Sequence, residues 1–105
     1  MEMKYNHKVI DDLFGYYINQ VFKMLGIFEA NDANGYRFAI RIHSELEHLP
    51  YQFEELNDDY RFNIVLTKIE TIIEELYYLD GEHQFVKNHV METINLLEKI
   101  KEGLK

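Results

Sequence analysis

The residues with the widest chemical reach are five histidines and a surplus of carboxylates, because the chain has no cysteine and one serine, Ser44. Without cysteine there is no disulfide, no thiolate nucleophile and no cysteine-ligated metal or cluster. Ser44 stands in no nucleophile-elbow pattern, and the scattered glycines form no phosphate-cradling loop. The paired acids Glu54-Glu55, Asp58-Asp59 and Glu74-Glu75 are sequence neighbours. On a helix they point about 100° apart and cannot easily share a proton, so they serve solvation rather than acid–base catalysis. One Glu-x-x-His motif is present, Glu45 with His48, and His89 with Glu92 is its reversed form. A helical di-metal centre needs two such motifs and two further glutamates, all turned inward. Leu46 and Leu49, rather than Glu45, continue the apolar stripe, so this pair is expected at the surface, with no metal and no cofactor.

His43 and His48 are the remaining candidates for covalent chemistry, as acceptors of a phosphoryl group. In broad layout the chain is similar to histidine phosphotransfer (HPt) domains, and that resemblance implies a carrier as the alternative function. The family signature couples its histidine to a following lysine and glycine. Here His43 is followed by Ser44-Glu45-Leu46-Glu47 and His48 by Leu49-Pro50-Tyr51, so a phosphoryl group would meet Glu45 and Glu47 instead of a cation. On packing grounds alone, His43 is a half-buried residue and His48 a solvated one at a helix end, where the dipole favours its protonated form. The Arg37 to His43 spacing resembles that of helical HEPN ribonucleases, but Phe38 stands where their arginine is followed by a polar residue. Arg37 and Arg41 are instead expected one turn apart on a solvated face, balancing Glu45.

Those side chains are carried by a chain of 105 residues with a formal charge of −8, 47% of it hydrophobic. That length allows one domain, residues 1–105, with an ample core. No run approaches the roughly 20 apolar residues that span a bilayer, and the first residues lack a signal peptide's layout, so a cytoplasmic protein without membrane contact is expected. Residues 45–82 hold eleven acids against Arg61 and Lys68, a local charge of −9 that leaves +1 for the rest. Such a centre disfavours direct nucleic-acid binding and suits a basic partner.

Four segments show the three-to-four apolar spacing of an amphipathic helix. The first runs through Ile10, Phe14, Tyr17, Val21 and Met24, with Asn6 as N-cap, Gly26 as the terminating glycine and Gly15 as either a close helix approach or a weak point. In the second, Tyr36 to Leu49, residues 36–42 alternate like a strand, yet Ala39, Ile42, Leu46 and Leu49 keep helical spacing and no partner strand exists, so it is read as helix. Pro50 marks its boundary, and a connector follows with Tyr51 and Phe53 expected in the core. The third carries Phe62, Val65, Ile69, Ile72, Leu76 and Leu79, widened by Leu66, Ile73 and Tyr77, between Asn57 as N-cap and Gly81 as left-handed stop. The fourth, about Glu82 to Glu102, turns Val86, Val90, Ile94, Leu97 and Ile100 inward. Tyr36-Arg37-Phe38 and Tyr60-Arg61-Phe62 echo each other as two helix starts. The fold expected is all-α, an antiparallel four-helix bundle.

On this frame the expected function is a non-catalytic, acidic interaction module, a regulator, inhibitor or immunity-type protein that binds a basic protein. The candidate contact residues are Glu47, Glu54, Glu55, Asp58, Asp59, Glu74 and Tyr78, a mixed acidic and aromatic surface. Helical bacteriocin-immunity proteins resemble the chain in size and helix count, and acidic DNA mimics are another form of the same idea. The wide stripe of the third helix would also let a second copy cover its excess as a homodimer.

Overall fold

Periodicity becomes architecture in four helices: α1 (His7–Glu29), α2 (Tyr36–Glu47), α3 (Tyr60–Tyr78) and α4 (His83–Leu104). The computed structural model describes residues 5–105, and among these no strand forms. Residues 36–42 are therefore helical. Alternation was a by-product of Tyr36 and Ile40 lying along one flank, while Ala39, Ile42 and Leu46 are buried.

The helices run alternately up and down. His7 Nε2 lies 3.2 Å from the Lys105 carbonyl oxygen at one pole, and His83 Nε2 lies 2.7 Å from Glu29 Oε2 at the other, so α1 and α4 are antiparallel neighbours. Packing continues from α4 to α3 and from α3 to α2, giving a bundle about 50 × 20 × 20 Å. One core threads all four helices; the central residues of the expected stripes are buried except Leu79, which is half-buried, and of the three expected to widen the third stripe Leu66 and Ile73 are half-buried while Tyr77 is exposed. Among the described residues no helix is long and apolar enough to cross a membrane.

Length explains the connector. With 23 residues, α1 spans about 35 Å at about 1.5 Å per residue, whereas the 12 residues of α2 reach only about half as far. Two short 3₁₀ turns, Leu49–Tyr51 and Glu54–Asp58, fill the remainder and send Leu49, Phe53 and Leu56 into the core. The Phe53 ring packs edge-on to Tyr5 at 4.9 Å and beside Phe14 at 6.2 Å.

Helix ends agree with expectation at one position and depart from it at three. Asn6 does cap α1, accepting from the Lys8 and Val9 N–H groups. Gly26, however, lies inside α1, and the left-handed residue beyond it is Asn31, at φ 56°. Asp59, not Asn57, caps α3, accepting from Arg61 N–H. Asn57 turns back to donate to the Glu54 carbonyl instead. Leu79, not Gly81, takes the left-handed conformation after α3, at φ 56°. Its N–H bonds back to the Glu75 carbonyl, closing the last turn of α3 in a backbone geometry that ordinarily favours glycine. Gly15 marks no close approach, since an added Cβ would find nothing within 4 Å. Tyr51 is 89% exposed, because the turn that buries Leu49 points it outward to stack on His48, 5.8 Å between centroids. The two Tyr-Arg-Phe triplets do open α2 and α3, each with its tyrosine first.

Candidate functional site

Helix geometry separates the carboxylates and histidines more than it gathers them. Glu45 receives the Tyr17 hydroxyl at 3.4 Å and lies 4.0 Å from Arg41, while His48 Nδ1 is 2.7 Å from the Ser44 carbonyl oxygen. Burial and the Glu45 carboxylate together push the Tyr17 hydroxyl above its usual pKa. His89 joins Glu75 of α3 at 2.9 Å, and Glu92 instead takes Lys68, whose ammonium holds that carboxyl below the usual glutamate range. Among the described residues no group of three or more acids and histidines converges as a metal site.

His43 is the histidine that the fold encloses. Its side chain is 15% exposed, with Nδ1 at 3.1 Å from Glu47 and Nε2 at 3.3 Å from Glu70 of α3. Nε2 is buried and makes no well-aligned hydrogen bond, so its closeness to Glu70 is electrostatic proximity rather than a directed bond. A phosphoryl donor would have to pass two carboxylates to reach either nitrogen. Arg37 meanwhile donates to the Tyr36 hydroxyl at 3.4 Å and stands over that ring, turned to a different partner from His43.

The α3/α4 flank carries a surface depression of about 350 Å³ lined by Asn63, Ile64, Thr67, Lys68, Thr71 and His89. Its reactive groups are engaged. Thr67 and Thr71 donate to the Asn63 and Thr67 carbonyls, Lys68 pairs with Glu92 and His89 with Glu75.

The expected contact residues fall into two groups. Glu54, Glu55, Asp58 and Asp59 sit in the connector, at the pole where α1 begins. Glu74 and Tyr78 lie near the far end of α3, about 21 Å and about 27 Å along its axis from Tyr60, the helix's first residue. Glu47 lies at the end of α2, beside His43. Two connector acids have structural work: Glu55 accepts the Tyr5 hydroxyl at 2.6 Å, and Asp59 grips the Arg61 guanidinium through both oxygens. That guanidinium holds the Asp59 carboxyl below the ordinary aspartate range.

Near Tyr78, sequence reasoning missed Tyr36 and Ile40 of α2. Tyr36, Tyr77 and Tyr78 form an edge-to-face run, each step 5.0 Å between centroids. Neither residue of the Tyr77-Tyr78 pair faces the core; they are 56% and 66% exposed. The alternation of Tyr36 and Ile40 was their signal, a second apolar flank beside the core stripe. Comparison of the chain with protein-family models, with curated proteins and with solved structures found no match in any of the three.

Proposed function

We propose that this chain is a non-catalytic helical interaction protein whose acidic surface captures a basic protein partner. One observation carries the reading. Within residues 45–82 the only lysine and arginine are already held by carboxylates, Arg61 by Asp59 and Lys68 by Glu92. The exposed Glu47, Glu70 and Glu74 have no lysine or arginine beside them among the described residues, and His43 alone stands between Glu47 and Glu70, so the surface keeps an excess of negative charge. Such a surface steers a cationic partner into encounter and loses strength as salt screens it.

The enclosure of His43 and the engagement of the α3/α4 polar groups favour this reading over a phosphocarrier or hydrolase. Regulator, inhibitor and immunity factor are the biological forms it covers.

The test is affinity capture with the full chain as bait in an extract of its native host, at low and high ionic strength. Wild type should retain a basic protein that high salt releases. A variant combining Glu47→Lys, Glu54→Lys, Asp58→Lys and Glu74→Lys should lose it while the circular-dichroism spectrum stays helical. Asp59 is left intact because it caps α3. Capture indifferent to both salt and charge reversal would remove the reading.

A further inference from the structure

We infer that the groove between α2 and α3 is the docking site, and that its occupant is a basic amphipathic helix supplied by another protein. This rests on the interaction reading above and names the surface and the shape of the partner.

The two helices share one antiparallel register. Tyr36 meets Tyr77, and His43 meets Glu70, pairs whose numbers have the same sum. Continuing that register sets Ile40 level with Ile73 and Glu47 level with Leu66. The Tyr36 half of the groove is therefore apolar, with Tyr36 and Ile73 half-buried and Ile40 46% exposed, while in the other half His43, Glu70 and Glu47 stand beside the half-buried Leu66. An isoleucine so open, beside a tyrosine more than half exposed, is apolar area that a partner would remove from water. Along the rim stand Glu47, Glu70 and Glu74, with His43 between the first two and the exposed Arg37 over Tyr36 at the far end.

An apolar floor with an acidic border is complementary to a helix whose leucine-like stripe is flanked by lysine or arginine. Dimensions agree. The 12 residues of α2 give a groove about 18 Å long, which takes three to four turns of helix. At the open end, the Tyr36–Tyr77–Tyr78 run meets edge to face, at 82° and 86°, which leaves ring faces for a cation. Arg37 already uses one, its guanidinium carbon 5.8 Å from the Tyr36 centroid. A partner arginine over Tyr77, with Glu74 one turn earlier, would repeat that arrangement intermolecularly.

The experiment titrates the isotopically labelled full chain with a synthetic helical peptide of about 15 residues, leucines on one face and lysine and arginine on the other. A scrambled peptide of the same composition is the control. Amide shifts should concentrate in residues 36–47 and 66–78, and the scrambled peptide should bind at least tenfold more weakly. Ile40→Asp is the decisive variant. It adds negative charge, so unspecific attraction to a cationic peptide would hold or strengthen, whereas seating in the groove would weaken at least tenfold. Glu74→Lys should weaken binding several-fold, and Asp12→Lys, an equal charge change on α1, should leave it nearly unchanged.

Shifts centred on residues 52–59, or tighter binding by Ile40→Asp, would overturn the groove while leaving a basic partner intact. Concentration-dependent self-association with shifts in the same groove would give it to a second copy and also overturn the proposal. Loss of both peptide binding and salt-sensitive capture would sink this inference together with the reading it rests on.

Discussion

His43 on α2 and Glu70 on α3 meet across the helix pair, Nε2 to Oε1 at 3.3 Å, while the other ring nitrogen is 3.1 Å from Glu47. The imidazole is thus a packed strut between two helices. His43→Ala should cost about 1–3 kcal/mol in urea unfolding, as it hollows a largely enclosed site. His48→Ala, at an exposed position, should stay within about 0.5 kcal/mol. Equal losses at the two positions would contradict the strut.

If the function is interaction rather than phosphoryl transfer, a His43→Gln, His48→Gln double variant that folds should still capture partner in a salt-sensitive way, although His43 lies in the proposed groove. Acid-labile phosphate on the wild-type chain, absent from the double variant, would reverse that conclusion.

Asp59 combines a cap with an ion pair, so its two contributions can be separated. Asp59→Ala should lose about 1 kcal/mol from the cap alone. Asp59→Asn keeps a capping oxygen and loses the charge that Arg61 grips. Because the folded-state carboxyl is depressed, its contribution is present above the unfolded value near pH 4 and disappears as pH falls through the folded one. Unfolding curves of wild type and Asp59→Asn should therefore converge in acid; a gap that is constant with pH would show that the ion pair contributes nothing.

Phe53 and Tyr51 are two residues apart and should behave as opposites. Phe53→Ala removes a ring that is 1% exposed and should cost about 3–5 kcal/mol. Tyr51→Ala removes only a stacking contact with His48, and its melting temperature should barely move.

Glycines give a third contrast. Gly15 and Gly26 lie inside α1 with open space where a Cβ would go, so alanine at either should stabilise by about 0.5–1 kcal/mol. At Gly35 the same substitution would drive the Cβ into Ile27 and close to the Asp32 carbonyl, and should destabilise. Calorimetry showing the same sign at all three sites would refute the packing argument.

Much of this molecule is written in spacing. Ile10, Phe14, Tyr17, Val21 and Met24 are buried because a helix returns to the same face every 3.6 residues, and that period is a property of the local backbone alone. Even the strand-like alternation of residues 36–42 yielded to Ala39, Ile42 and Leu46, whose longer pattern needed no tertiary knowledge. Termini were less legible. Asn57, Asp58 and Asp59 are all competent caps, and where the core allows the chain to turn selects among them.

The site depended most on three dimensions. Glu54 and Glu74 belong to one acidic stretch, yet one sits in the connector before α3 and the other near the far end of that helix, whereas Tyr36 and Tyr77, 41 positions apart, touch at 5.0 Å. Sequence by itself determined which residues are greasy, which charged and how each helix divides them between inside and outside. Only the folded bundle decided which outer flanks face each other, because interhelical register and rotation are set by how whole rows of side chains interlock, and no single segment contains that information.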